Sequence, residues 1–120
     1  MKKDGSKIGI LGYGEVGQAI ARFYQSPRLR QRFGGQARIK DLNRDDGLMG
    51  VEVLHICIPW SNKFVNIVRK EIEKIKPRIT IIHSTVRVGT TKKLNEILAK
   101  ELRFVVHSPI RGFTRSFTRV

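Results

Sequence analysis

Apolar residues fall along this chain in two alternating rhythms. Short runs rich in apolar residues occupy 7–11, 53–58, 79–83 and Phe104–His107, with 53–58 nearly continuous, and a shorter, partly polar one occupies 37–42. Between them, apolar residues recur at three- and four-residue steps. Runs of this length, rich in Ile and Val, predict buried strands, and the stepped segments predict amphipathic helices. Val16, Ile20, Phe23 and Tyr24 make the first stepped set, Phe64, Val68, Ile72 and Ile75 the second, and Leu94, Ile97, Leu98 and Leu102 the third.

Punctuation agrees with this division. The residue before a proline disfavours helical geometry, so Ser26-Pro27 and Lys76-Pro77 read as helix stops. The basic stretch 28–35 ends in a Gly34-Gly35 turn. Pro59 closes the third run, Ser61 is placed to cap the helix after it, and Ser108-Pro109 closes the fifth. His55, in the middle of the third run, reads as packing.

Strands that alternate with helices favour a parallel sheet joined by right-handed crossovers. The expected fold is therefore α/β, a doubly wound five-stranded parallel sheet of the Rossmann-like kind. Numbered along the chain, its strand order is 2-1-3-4-5. Residues 42–52 leave room for a helical turn or two but not for a full strand–helix unit. The usual third strand of the dinucleotide fold is thus expected to be missing. Residues 1–109 form one domain in this reading, 110–120 are a basic tail carrying Arg111, Arg115 and Arg119, and a substrate domain is absent.

The first strand runs into Gly12-Tyr13-Gly14-Glu15-Val16-Gly17. This G-x-G-x-x-G spacing between strand and helix suits a dinucleotide pyrophosphate. Gly12 allows the tight turn, Gly14 leaves no side chain between backbone and phosphate, and Gly17 lets the helix lie close on its strand. The phosphate charge then faces the unpaired N–H groups and positive dipole end of that helix. Asp41 ends the second strand some two dozen residues after Gly17, near the ~20 expected of a ribose-binding acid. A carboxylate there accepts from the ribose hydroxyls and repels a 2′-phosphate, which favours NAD over NADP. The other reading is that Asp41 caps the following turn. Arg44 lies close enough to complicate the cofactor preference. The expected cradle comprises Gly12, Tyr13, Gly14, Glu15, Val16, Gly17, Asp41 and Leu42, with Ile58 and Pro59 across the crevice between the first and third strands.

Composition narrows the setting. The hydrophobic share of 40% supports a packed core. No apolar stretch approaches the ~18 residues of a membrane span, and the charged start lacks the apolar run of a signal peptide. One cysteine excludes an internal disulfide and the usual zinc frameworks. A cytoplasmic, non-membrane protein without a metal is expected. The formal charge of +14 predicts attraction for anions such as nucleotides, phosphorylated sugars or nucleic acid, or a surface facing an acidic partner.

Taken together, Ile-Gly-Ile-Leu-Gly-Tyr-Gly-Glu-Val-Gly, a strand ending in Asp41, Ile-Cys-Ile-Pro and His-Ser-Thr-Val-Arg-Val-Gly-Thr-Thr resemble the UDP-glucose/GDP-mannose dehydrogenase family. The 6-phosphogluconate and hydroxyacid dehydrogenases are its wider relatives. The resemblance covers most of 7–109. It implies NAD as cofactor, a nucleotide sugar or other anionic substrate, and a homodimer or a partner substrate domain. It also implies that Thr85, beside Ser84, lies near the nicotinamide and the sugar; helix capping is the other reading of both hydroxyls. The chain departs from the family at Trp60, where a threonine is usual nearby, and at Ile110, where Ser-Pro is usually followed by a glutamate. The family's cysteine nucleophile belongs to a later domain, and Cys57, inside an apolar strand, reads as inert core.

His83 and His107 end strands expected to be neighbours. They are candidate proton carriers or phosphate ligands, or else ordinary strand-end histidines. The basic segments, with Phe33, Phe113 and Phe117 interleaved, leave a nucleic-acid-binding domain as a further reading, although no recognised motif accompanies them. A non-catalytic nucleotide-binding module is the nearer alternative to a dehydrogenase. A methyltransferase is a weaker one, since an acid ending the second strand also holds a ribose there.

Overall fold

The computed structural model describes residues 6–83 and the backbone of Phe104–His107. The elements run β1 (Ile8–Leu11), α1 (Glu15–Phe23), α2 (Pro27–Phe33), β2 (Arg38–Asp41), β3 (Arg44–Asp45), β4 (Val53–Ile56), α3 (Phe64–Ile75), β5 (Ile79–Ile82) and β6 (Phe104–His107). The sheet order is β3-β2-β1-β4-β5-β6. Every pairing is parallel except β2–β3. With β3 set aside, the order is the expected 2-1-3-4-5. The third helical segment, with Leu94, Ile97, Leu98 and Leu102, and the tail 110–120 lie outside the described residues.

Alternation along the strands divides the core in two. Ile10 is in register with Ile39 and His55, so all three face the same side. There Ile8, Ile10 and Ile39 pack under Ile20, Ala21 and Tyr24 of the α1 segment. On the opposite face Leu11, Leu54, Ile56 and Ile82 meet Phe64, Val68, Ile72 and Ile75 of α3. All four of these α3 residues are buried, as their spacing predicts. Each contributes about 1.5–3 kcal/mol by leaving water. In α1 the buried stripe is Gly17, Ile20 and Ala21, continued by Tyr24; Phe23 instead stands 61% exposed with its edge on the Tyr24 ring.

Three local expectations are corrected. The stretch after Ser26-Pro27 is helical: the Ser26 hydroxyl accepts from Leu29 N–H, Pro27 takes the first turn, and Gly34 closes α2 at φ 83°. Serine followed by proline starts a helix as readily as it ends one. Ser61 is not the cap of α3, because Lys63 holds that position; the Ser61 hydroxyl accepts from Lys63 N–H in the turn before it. Residues 42–52 form no helical turn. They make the short hairpin strand β3 and a loop that lays Leu48 and Val51 over Gly9. A Cβ at Gly9 would come within 3.1 Å of the Val51 side chain, so the bare backbone there admits the loop. Arg38 pins that loop by donating to the carbonyls of Ser6, Gly47 and Met49. In this way two apolar side chains cover β1 where a strand–helix unit would otherwise lie.

Candidate functional site

The glycine turn occupies the carboxyl edge of the sheet, between β1 and α1. Gly12 sits at φ 102°, a region that side chains rarely adopt. A Cβ there would also lie 2.8 Å from the Cys57 backbone at the end of β4. A Cβ on Gly17 would run into the Gly12 carbonyl oxygen, so the start of α1 rests directly on the turn. Gly14 differs: among the described residues nothing lies within 4 Å of where its Cβ would be. Gly14 also occupies the N-cap position of α1 without a side-chain cap, so that among the described residues no side chain competes with an anion for the first-turn N–H groups. Gln18 steadies the bend by donating from Nε2 to the Tyr13 carbonyl, and Gly12 N–H donates to Lys40 C=O.

Beside the turn, on the α3 side of the sheet, lies a cleft of about 410 Å³. Leu11, Lys40, Asp41, Leu42, Ile58 and Pro59 line it, and Ser61 and Ile67 close it toward α3. Four residues expected in the cofactor cradle therefore share one cavity: Asp41, Leu42, Ile58 and Pro59. The cavity lies within the size range of small-ligand sites and is mostly apolar, with few polar groups. Asp41 is exposed at its rim, and Leu42 is 97% exposed beside it. Lys40 pairs with Glu71 of α3, 3.0 Å from its Nζ.

The hairpin that adds β3 brings Arg44 into register with Asp41. Its guanidinium lies 5.3 Å above the ring of Tyr13, the residue between the first two glycines of the turn. Asp46 grips the same guanidinium with both carboxylate oxygens, at 3.1 and 3.0 Å. Partial burial alone would raise Asp46. Hydrogen bonds from Arg44 and from Ile39 N–H, with the charges of Arg44 and Arg38, outweigh it and hold the carboxyl below its ordinary range.

On the other face, a chain of hydrogen bonds leads from α1 to the end of β5. Tyr24 Oη is 2.9 Å from His55 Nε2, and His55 Nδ1 is 2.8 Å from His83 Nε2. His55 is thus more than the packing residue its place in the strand suggested. Burial, and then the neighbouring His83, push its pKa down to about 3, so it stays neutral near pH 7. Period-two alternation puts His55 on the α1 face, but nothing in the sequence pairs it with Tyr24, 31 positions away. His107 is in register with Ile82, one residue behind His83 along the edge; its side chain, like Ser84 and Thr85, lies outside the described residues. Burial pushes the Cys57 thiol up to about 12, which leaves it inert.

The strand order and the glycine turn define a Rossmann-like α/β fold of the kind found in dehydrogenases. Two solved structures share it. One, described as an oxidoreductase from Mycobacterium avium 104, has a TM-score of 0.66 at 20% identity over 95% of this chain and 45% of its own. The other is 3-hydroxyisobutyrate dehydrogenase of Mycobacterium tuberculosis with L-serine, with a TM-score of 0.69 at 15% identity over 91% of this chain and 42% of its own. The chain therefore spans less than half the length of either structure. No family model matches the chain, and a search of the curated proteins finds no match.

Proposed function

We propose that this chain is the NAD-binding part of an oxidoreductase. Two observations carry the reading: the start of α1 has no side-chain cap at Gly14, and Asp41 stands at the rim of a cavity of about 410 Å³ that Leu11, the residue before the glycine turn, helps to line. In this reading the first-turn N–H groups of α1 hold the pyrophosphate. Asp41 accepts from the adenosine ribose hydroxyls, and Leu42, Ile58 and Pro59 shelter the base. When bound, NAD supplies a hydride acceptor; the chain's own part is to bind and orient it. Arg44 favours NAD over NADP, because its charge is already met by Asp46 and a 2′-phosphate would have to displace that carboxylate. The M. tuberculosis neighbour suggests a small hydroxy acid as the substrate class, whereas the Ser-Thr-Val-x-x-Gly-Thr-Thr resemblance suggests a nucleotide sugar. Of the two, the second rests on residues of this chain, including Thr85, and we retain it.

Titration with NAD is expected to give saturable heat. Asp41→Ala is expected to weaken binding by about tenfold, the loss of charge-assisted hydrogen bonds worth about 1.5–3 kcal/mol being partly offset by water. Unchanged affinity in that variant would refute the ribose role, and absence of any heat would refute the cofactor reading.

A further inference from the structure

Residues 16–40 contain no Asp or Glu, yet they carry Arg22, Arg28, Arg30, Arg32, Arg38 and Lys40. Arg38 is occupied by the carbonyls of Ser6, Gly47 and Met49, and Lys40 by Glu71. The others stand differently. Arg22, in the last turn of α1, and Arg28, Arg30 and Arg32, all on α2, are exposed. Among the described residues none of these arginines meets a carboxylate.

Helix stability does not account for this set. Arg30 and Arg32 lie in the last turn of α2, where the dipole favours cations, but Arg28 lies in the first turn, where it does not. Arg28 and Arg32 are also one turn apart, so like charges share a flank of the helix at some cost. The inner side of α2 is held by Leu29 and Phe33, which pack on the core and leave the arginines outward.

An exposed ring adjoins them. Phe23 meets Tyr24 edge-to-face with centroids 5.3 Å apart, and Tyr24 meets Phe33 of α2 the same way at 5.8 Å. This row ties the end of α1 to α2. Phe33, the ring that the sequence interleaves with the arginines, is turned onto the core, and Phe23 is the one left 61% exposed. The corner also lies away from the glycine turn. From that turn α1 runs back along the sheet, and the Phe33 carbonyl accepts from Lys7 N–H just ahead of β1, at the amino edge.

We propose that the α1–α2 corner binds a single-stranded nucleic acid, with its phosphates on Arg22, Arg28, Arg30 and Arg32 and a base stacked on Phe23. A guanidinium presents a fork of donors that matches a phosphate. An aromatic face accepts any unpaired base, whereas a duplex keeps its base faces covered. An acidic protein surface would answer the arginines but gives the exposed ring no use. The inference does not rest on the cofactor reading, because it concerns the opposite edge of the sheet.

The test is fluorescence anisotropy with a labelled oligothymidylate of about 12 nucleotides, within the ~4–16 that single-strand sites cover. This probe contains no adenosine and so does not imitate NAD. Saturable binding is expected, its log affinity falling with log salt at a slope of about −0.7 for each phosphate met. Arg28→Ala/Arg32→Ala should make that slope shallower by about 1.4. Phe23→Leu should weaken binding about tenfold at an unchanged slope. Absence of binding by the wild type would overturn the proposal. So would an unchanged slope in the arginine variant, which places the contact elsewhere on the chain, or an unchanged affinity in Phe23→Leu, which leaves a polyanion surface without stacking. Urea midpoints matching the wild type establish that the variants fold. Should Phe23→Leu fail to fold, Phe23→Trp decides: its added indole emission is quenched by the oligonucleotide if a base stacks there, and unquenched emission overturns the proposal.

Discussion

Acid should destabilise this protein through one side chain well before its carboxylates protonate. His55 is neutral in the fold with a pKa of about 3, against an ordinary value of 6.5. Between these two values the unfolded chain holds a proton that the folded chain refuses. Stability therefore falls as pH drops through 6.5 and keeps falling toward 3. Each pH unit in that window costs about 1.4 kcal/mol, so about 2 kcal/mol is lost between pH 6.5 and 5. That is a large part of the ~5–15 kcal/mol typical of a domain. The assay is urea unfolding at pH 5, 6, 7 and 8, followed by the fluorescence of Trp60, which packs on Phe64 at 5.2 Å. Comparing His83→Gln with His83→Gln/His55→Leu removes the neighbouring imidazole but keeps burial, the larger cause of the shift. The double variant should be less stable at pH 8, where Tyr24 Oη loses its buried partner, and the gap should narrow by about 2 kcal/mol by pH 5. Parallel pH curves for the two proteins would refute the reasoning.

Gly17→Ala should cost about 1–3 kcal/mol in urea melts, because its Cβ meets the Gly12 carbonyl oxygen. Gly14→Ala should cost less than about 1 kcal/mol, its Cβ entering open space, yet should weaken NAD binding on titration. Cys57, pushed up to about 12, should resist thiol reagents at pH 7.5 in the native protein and react fully in urea, read by absorbance. Asp46 titrates below its ordinary value of 3.8 in the fold, so its contribution is complete above that pH and is lost as pH falls through the folded value. Asp46→Asn should accordingly melt at a lower temperature at pH 7, with the difference from wild type closing below pH 4.

Sequence rhythm revealed the layers of this fold because each element announces itself locally. The Ile and Val runs and the Phe64–Ile75 spacing state burial on two faces and on one, respectively. The glycine turn was legible for the same reason, since Gly12 and Gly17 are constrained by backbone a few residues away or directly behind them. Phe23 was misassigned because a helical stripe read by hydrophobicity alone gives a large exposed ring the place that belongs to Ala21. The helix after Pro27 was missed because serine–proline carries opposite meanings at the two ends of a helix. The meeting of Asp41, Leu42, Ile58 and Pro59 was legible from the strand order, whereas the closure of their cleft by Ser61 and Ile67 needed three dimensions. Ile58 and Pro59 are adjacent to Leu42 only through β1, which lies between their strands. The Tyr24–His55–His83 chain was hidden for a similar reason, since each member looks ordinary within its own segment and only packing aligns the three.

The Arg44–Asp45 hairpin also has a bearing on self-association. It is two residues long, charged at both positions, and forms the outer margin of the sheet next to β2. So few free main-chain groups, flanked by ionic side chains, offer a poor template to an incoming strand. Stacking of copies into extended cross-strand assemblies is thereby discouraged along this border, even at the millimolar concentrations that spectroscopy demands.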